Sequence, residues 1–376
     1  MGPEQSGPTL FPRVLSIGAR PKKQLPSKHQ SFSNRSSKGA PMHVIDLVAR
    51  KSGWEIIAPN LLTLVLGLAA FAAIVVLVFL LAERTSVKAQ EWAKYLVFLV
   101  PAVLLLVIGL IYPAIRTLIL SFMNDNSEEF VGLDNYVWAF TRPEILQVLT
   151  NTAIWVFVVP TVSTFIGLVI AYLTDRMKTA AVVKSLIFMP MAISMVGASI
   201  IWKFVYDFEP NLKKVDIGLL SSLSKALGVN PPNWLLENPL NTFLLIVVMI
   251  WIQTGFAMVV LSAAMKNIPD EVVEASMLDG ATQLKRFVQI TVPMIRASIV
   301  VVLTTITIGT LKVFDIVRTM TGGNFSTNVI ANEMYTQTFR ALNYGTGSAL
   351  AVILFLGVLP IIWYNIRQLR LERTER

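Results

Sequence analysis

One apolar run of the sequence carries residue types that bind polyhydroxylated molecules. Trp251, Gln253, Thr254 and Phe256 lie close together in the run 240–264, which is otherwise mostly apolar. Aromatic rings stack on the faces of pyranose sugars, and amide and hydroxyl groups exchange hydrogen bonds with sugar hydroxyls. The cluster therefore predicts sugar binding rather than covalent chemistry. Trp251 and Phe256 are five residues apart, so a helix directs them to different sides.

A second candidate is a pair of opposite charges in the apolar run 295–318. Lys312 and Asp315 are three residues apart, which places both on one face of a continuous helix. Ionisable side chains inside a membrane usually face a cavity or pair with each other. Two interpretations stay open for this intramembrane pair: the edge of a polar pathway, or mutual neutralisation near the outer end of the helix.

The sequence lacks the residues required for thiol chemistry, for a histidine-rich metal site and for nucleotide binding. The sequence has no cysteine and only two histidines, His29 and His43, so neither thiol chemistry nor a histidine-rich metal site is predicted. The sequence also lacks the G-x-x-x-x-G-K-[ST] phosphate-binding loop. We therefore predict no catalytic residue, metal or cofactor in this chain. If ATP drives it, another chain binds the nucleotide.

The composition predicts an all-α protein that crosses a membrane several times. Of its 376 residues, 54% are hydrophobic, and the apolar runs approach the roughly 20 residues that span a bilayer. The net charge of +9 is explained by basic cytoplasmic loops rather than by nucleic-acid binding. An eighth crossing near 43–60 stays open. We predict seven spans, near 57–82, 95–122, 151–174, 185–206, 240–264, 295–318 and 348–366.

The charge of the loops predicts an orientation. The gaps 83–94 and 175–184, the segment 266–296 and the C-terminus are basic, whereas 123–150 is acidic. Positive charge is enriched on the cytoplasmic side, so segment 266–296 and the C-terminus are expected in the cytoplasm. The basic N-terminus would then lie outside. Basic residues on the outside contradict the enrichment of positive charge in the cytoplasm. If the protein starts at Met42, most of these basic residues are absent and the contradiction largely disappears.

Four regions follow from these boundaries. Residues 1–55 are basic and predicted to be disordered, and 1–41 is interpreted as an incorrect N-terminal extension. Residues 56–94 contain the first span and a cytoplasmic linker. The main transmembrane domain covers residues 95–370, and residues 371–376 form a cytoplasmic tail.

The segment 266–296 has the pattern of two short helices joined by a corner. Pro269 suits the first turn of a helix, and the acidic residues Asp270 and Glu271 suit its positive end. Gly280 is expected to end this helix, because glycine adopts the left-handed conformation of a helix stop. A second amphipathic stretch follows, and Pro293 is predicted to open the next span.

This segment resembles the EAA signature of ABC-importer permeases, with Val292 where leucine is usual. The resemblance implies the type I importer permease fold and a coupling helix that seats in a groove of an ATPase. It also implies a second permease subunit, an ATPase dimer and an extracytoplasmic sugar-binding protein as partners, in a prokaryotic plasma membrane. The coupling residues it implies are Glu274, Ala275, Ser276, Asp279, Gly280, Ile290 and Pro293.

Residues 95–370 are similar to maltose-type sugar permeases, and the phrase 251–258 looks most like permeases for alpha-glucosides. Substrate contacts carried over by position are Ile252, Gln253, Phe256, Met191, Met195, Ile306, Gly309 and Thr310; Trp251, Ser194 and Thr307 join them as nearby aromatic or hydroxyl groups. The predicted function is the membrane-spanning subunit of an ATP-driven alpha-glucoside or oligosaccharide importer. Two alternatives stay open: a permease for another small solute such as glycerol phosphate, and an ion-coupled secondary transporter, for which Asp315 is the lone deep carboxylate.

Overall fold

The computed structural model describes residues 53–83, 95, 99–175, 177–209 and 218–374. Every regular element in these ranges is a helix, and a single antiparallel bridge pairs Met123 with Phe130. The all-α prediction is therefore confirmed for this part of the chain. The predictions made for residues 1–52 and for the linker at 84–94 lie outside the described residues.

The chain divides into two compact units, residues 1–101 and 102–376. In the first unit, helix α1 (Gly53–Glu83) corresponds to the first predicted span, and its apolar stretch covers Leu61–Leu77. The later helices are α2 (Leu99–Leu120), α3 (Asp134–Thr141), α4 (Pro143–Thr174), α5 (Ala180–Ala192), α6 (Met195–Val205), α7 (Leu219–Ala226), α8 (Leu240–Met265), α9 (Asp270–Leu278), α10 (Gln283–Met294), α11 (Arg296–Leu311), α12 (Asp315–Met320), α13 (Ile330–Tyr335) and α14 (Tyr344–Thr374).

The described helices provide four to six candidate membrane crossings, against the seven predicted. In the described ranges, α2, α4, α8 and the Tyr344–Asn365 part of α14 are each long and apolar enough to cross a bilayer. The bent pairs α5–α6 and α10–α11 raise that total to six. The apolar stretch of α1, Leu61–Leu77, is shorter than these candidate spans. The boundary predicted between 370 and 371 falls inside α14, which continues to Thr374.

The fourth predicted span, 185–206, is not one helix. Helices α5 and α6 meet at an angle of 102°, because Ile193 and Ser194 have extended backbones between them. Pro190 lies in a 3₁₀ turn before the break. Ser194 then starts α6, since its Oγ accepts a hydrogen bond from the Gly197 N–H at 3.1 Å, as an N-cap does.

The sixth predicted span, 295–318, begins within one residue of helix α11 (Arg296–Leu311) but extends too far at its other end. Helix α11 stops at Leu311, and Lys312 to Phe314 are not helical, so Lys312 and Asp315 do not share the face of one helix. At its start α11 is bent by 71° from α10. Pro293 therefore lies inside α10 and does not open the span. Proline has no N–H to donate, and the backbone before it takes a π turn at Phe287–Thr291.

The centre of the second unit is the contact between α4 and α8. A β-carbon at Gly167 would lie 2.6 Å from Ala257 Cβ, so the two helices pack with almost no space between them. Gly255 provides a similar approach to α5, because a β-carbon there would lie 2.6 Å from the Ile187 carbonyl oxygen. Small residues permit such close packing of membrane helices. The fully buried side chains here include Trp155, Leu245, Ile246, Met249, Met258 and Leu261.

Two asparagines of this core anchor the loop that follows α12. Asn151 Nδ2 in α4 donates to the carbonyl oxygens of Ser326 at 2.6 Å and Asn328 at 2.9 Å. Asn241 Nδ2 in α8 donates to the Phe325 carbonyl oxygen at 2.8 Å. Phe325 and Ser326 both have positive φ angles, 56° and 60°, which are strained for residues other than glycine. The buried amides therefore hold a tight loop in place.

Candidate functional site

The corner between α9 and α10 has the geometry of a helix stop. Gly280 has a φ of +70°. Its N–H donates to the Met277 carbonyl at 3.0 Å, and the Ala281 N–H donates to the Ser276 carbonyl at 3.0 Å. This pair of bonds is the Schellman motif, which satisfies the last carbonyls of a helix. The predicted role of Gly280 as helix stop is confirmed, whereas Pro269 is the extended residue before α9 rather than its first residue.

The tip of this corner presents apolar side chains to the outside. Leu278 is 90% exposed, and Leu284 and Val288 are also exposed. We call the segment Asp270–Met294 the elbow. Exposed apolar clusters on a protein surface commonly mark a contact with a partner. Of the predicted coupling residues, Ser276 is buried and Ile290 half-buried, and the others are exposed: Glu274, Ala275, Asp279, Gly280 and Pro293.

Ser276 faces the inside of the elbow. Its Oγ donates to the Val273 carbonyl at 2.6 Å, so the hydroxyl is satisfied within α9. A cavity of about 480 Å³ lies beside it, between the elbow and the ends of α4 and α8. Charged side chains of both signs line this cavity: Asp175, Lys266, Asp270 and Arg286.

Tyr172 ties the elbow to α4, a contact that was not predicted from the sequence. Its ring lies 4.4 Å from the ring of Phe287, and its hydroxyl donates to the Gln283 carbonyl at 3.2 Å. Both partners belong to α10. The two residues are more than a hundred positions from Tyr172, so no local spacing pattern could have indicated the contact.

The structure separates the predicted aromatic–amide–hydroxyl cluster into two sides of α8. Trp251 meets Trp202 of α6 edge to face, with ring centroids 5.7 Å apart. These rings, Pro190 and Thr254 line an apolar cavity of about 440 Å³. Gln253 lies elsewhere, where a β-carbon at Gly309 of α11 would be 3.8 Å from its Nε2. Trp202 packs against Trp251, and the sequence did not indicate this contact because the two residues are far apart in the chain.

The remaining candidate substrate contacts differ in how far they are accessible. Ile252, Ile306 and Thr310 are buried in helix packing, at 4%, 1% and 0% exposure. The Thr310 hydroxyl donates to the Ile306 carbonyl at 2.8 Å, and that of Thr307 to the Leu303 carbonyl at 2.6 Å. Exposed or half-buried candidates are Met191, Ser194, Met195, Trp251, Gln253, Phe256 and Thr307.

The predicted charge pair is not formed. Lys312 is exposed, Asp315 is half-buried, and within the described ranges no ion pair joins them. Lys312 follows the last residue of α11, and Asp315 begins α12, where an acidic residue suits the positive end of a helix. In the same ranges, no three His, Cys, Asp or Glu side chains come together as a metal site would require.

Bent apolar helices, a glycine-packed core and an exposed elbow are features expected of a membrane-spanning transporter subunit. Residues 140–373 match the family described as binding-protein-dependent transport system inner membrane component. The chain belongs to this family. It is therefore a multi-pass membrane permease of an ABC importer, as the signature predicted, and the alternative of an ion-coupled secondary transporter is wrong.

Individual relatives narrow the class of transported molecule. The chain is 48% identical over 279 residues to the osmoprotective compounds uptake permease protein GgtC of Synechocystis sp., covering 74% of this chain and 100% of the relative. It is 48% identical over 271 residues to the alpha-glucoside transport system permease protein AglF of Rhizobium meliloti. This match covers 72% of this chain and 80% of the relative. The importer permease thus belongs among those for sugars or osmoprotective compounds.

A solved structure has the same fold. It is a bacterial ABC transporter involved in the import of the acidic polysaccharide alginate, and the superposition has a TM-score of 0.64 at 20% identity. The match covers 75% of this chain and 96% of the other chain. The predicted fold class is thereby confirmed.

Proposed function

We propose that this permease imports alpha-glucosides or related oligosaccharides. In this proposal the chain lines half of the pathway beside a second permease subunit, and a separate ATPase dimer hydrolyses ATP. The relative AglF, 48% identical and named for alpha-glucoside transport, supports the substrate class. The half-buried amide of Gln253, which lies beside Gly309 of α11, supports a polar position for the sugar between α8 and α11.

The exposed elbow carries the coupling part of the proposal. Leu278 projects from the end of α9 with 90% of its surface exposed, next to the tight turn at Gly280. Covering such an exposed apolar side chain with a partner removes it from water and stabilises the complex. The partner proposed is the ATPase, and Glu274, Ala275, Asp279 and Gly280 are the exposed residues around Leu278 that it would contact.

The elbow is well placed to move the helices of the pathway. It follows α8 directly and continues through α10 into α11, and Tyr172 links it to α4. When ATP closes the ATPase dimer, displacement of the elbow would therefore reach three helices that pack together. The energy for this change comes from the different interactions of the two states, since a ligand shifts an equilibrium only by its differential affinity.

A single introduced cysteine tests the coupling contact. The sequence contains no cysteine, so Leu278→Cys creates a unique attachment point for a crosslinker in the intact transporter complex. We expect a covalent adduct with an ATP-hydrolysing subunit, with a yield that changes when ATP is added. Leu227→Cys is the matched control, because Leu227 is 73% exposed and also precedes a left-handed glycine, Gly228, after α7. Equal adducts at both positions, or none at position 278, would contradict the coupling role.

A substrate screen tests the proposed sugar class. The complex reconstituted in lipid vesicles is supplied with its extracytoplasmic binding protein and with maltose, trehalose, sucrose or glycerol phosphate. We expect ATPase stimulation by one or more of the three glucosides and none by glycerol phosphate. Stimulation by glycerol phosphate alone would replace the alpha-glucoside assignment with the second candidate substrate.

A further inference from the structure

A polar pocket lies at the end of α11 opposite the elbow. It has a volume of about 360 Å³ and is formed by the loop after α12 together with α13 and the turn that follows it. Helix α11 links the elbow to this region; it has 16 residues and is therefore roughly 24 Å long. We call this the outer pocket; its lining residues are Arg318, Gly322, Gly323, Asn324, Asn328, Glu333, Thr336 and Arg340.

The two arginines of the outer pocket have no acidic partner. In the described residues, neither guanidinium group makes a hydrogen bond or an ion pair; Arg318 only stacks on the Tyr335 ring, with its Cζ 4.8 Å from the ring centroid. The nearby carboxylate of Glu333 is already engaged. Its Oε2 accepts from Asn328 Nδ2 and its Oε1 from Gln337 Nε2, both at 2.6 Å. The pocket therefore contains two guanidinium groups whose N–H donors are available to bind an anion.

Two glycines with positive φ angles form the turn at one wall of the pocket. Gly322 and Gly323 have φ angles of +69° and +86°, and a β-carbon at Gly323 would lie 2.5 Å from Asn332 Nδ2. A residue with a side chain would therefore be strained in that turn and would displace the Asn332 amide. On the other wall a π turn, Thr336–Arg340, carries both Thr336 and Arg340. Such turns are rare and frequently occur at functional sites.

We propose that the outer pocket receives an acidic side chain of the extracytoplasmic binding protein. The inference rests on the proposed function, because it places the elbow in the cytoplasm and the pocket on the other side. A guanidinium group binds a carboxylate through two parallel hydrogen bonds. Arg318 is half-buried and oriented by Tyr335, whereas Arg340 is exposed at the rim. Arg318 therefore positions the carboxylate, and Arg340 attracts it.

The first experiment measures docking in the intact complex. Arg340→Gln is compared with Arg142→Gln, an exposed arginine on the same side that does not line the pocket. The readout is the concentration of binding protein, isolated with the transporter, that gives half-maximal ATPase stimulation. For Arg340→Gln we expect an increase of about fivefold, the size typical of a partly exposed charge pair. Arg340→Lys should restore part of the loss, and Arg142→Gln should change nothing.

The second experiment measures the charge of the pocket without any partner. Asn324 is exposed and lines the pocket, so Asn324→Cys introduces a unique thiol there. Its reaction rate is measured with anionic and cationic methanethiosulfonate reagents of similar size. We expect the anionic reagent to react relatively faster, and this preference to fall when Arg340→Gln is added. Bound sugar-loaded binding protein should protect the thiol.

The outcomes separate this inference from the proposed function. If the binding protein stimulates the unmodified complex and Arg340→Gln equally, the pocket is not its docking site, although the importer assignment stands. If the binding protein never stimulates the unmodified complex, the proposed function fails. Protection of the thiol by vesicles of anionic lipid, but not by the binding protein, would show that the pocket binds a lipid headgroup and would overturn the inference.

Discussion

At the scale of single residues, the structure distinguishes glycines that look alike in sequence. Gly280 and Gly228 both end a short helix with a positive φ, +70° and +76°, and neither would bring a β-carbon within 4 Å of another residue. Their hydrogen bonding is also equivalent, since Val229 N–H reaches the Ser224 carbonyl just as Ala281 N–H reaches that of Ser276. They differ in location, one at the elbow and one in the loop after α7.

This equivalence permits a controlled test of coupling. Gly280→Leu and Gly228→Leu should each cost about 1–2 kcal/mol of stability, because a side chain disfavours the left-handed conformation. Only Gly280→Leu should abolish sugar uptake and binding-protein-stimulated ATPase activity, since its new side chain occupies the surface proposed for the ATPase. Transport assays in vesicles and thermal denaturation of both variants check this. Normal uptake by Gly280→Leu would remove the elbow from the coupling mechanism.

A second residue-scale prediction concerns Gln253. Gln253→Ala should raise the sugar concentration for half-maximal uptake about fivefold, because a lost hydrogen bond to a sugar hydroxyl contributes about 1 kcal/mol. Thr254→Val is the control, since the Thr254 hydroxyl already donates to the Ile250 carbonyl at 2.7 Å and lies in the tryptophan-lined cavity. Unchanged uptake kinetics of Gln253→Ala for every glucoside would exclude this residue from the pathway.

At the scale of elements, close packing of α4 on α8 determines the architecture. Gly167→Ala should destabilise the protein by about 1–3 kcal/mol, because a core that is already filled cannot accept an additional methyl group without displacement. The obstacle includes the Met258 backbone nitrogen, 2.8 Å from the new carbon. Gly357→Ala in α14 should be tolerated, since its nearest neighbour is Leu311 Cδ2 at 3.8 Å. Thermal denaturation in detergent compares the two, and equal midpoints would contradict this account of the packing.

Element boundaries also show where sequence patterns are insufficient. The apolar run 185–206 was predicted as one span, yet the 102° bend at Ile193–Ser194 divides it. Hydrophobicity indicates that a segment lies in an apolar environment, but it does not indicate whether the helix axis changes direction within that segment. The break depends on the extended backbone and on the cap that Ser194 provides, and a serine in a membrane segment is equally common at an uninterrupted helix interface.

At the scale of the whole molecule, orientation in the membrane stays a prediction. The basic segment 266–296 is expected in the cytoplasm and the loop after α7 outside. A membrane-impermeant maleimide should therefore label Leu227→Cys in intact spheroplasts, and should label Leu278→Cys only after the membrane is permeabilised. Labelling in the opposite order would invert the topology, and with it the assignment of the outer pocket.

The sequence by itself determined the class of this protein. Apolar runs of bilayer length indicate membrane helices because the bilayer requires them, and the spacing from Glu274 through Gly280 to Pro293 identified the importer family. The φ of +70° at Gly280 followed as well, because left-handed backbone is a local property for which glycine is selected. These features depend on neighbours in sequence and are therefore legible without a structure.

Only the tertiary structure decided which side chains meet. It brought Trp202 to Trp251 and Tyr172 to Phe287, separated Lys312 from Asp315 by ending α11, and buried Ile252, Ile306 and Thr310 in helix packing. It also joined Arg318 and Arg340 in one pocket. Such pairings depend on the angles between helices, and those angles arise from contacts between residues far apart in the chain.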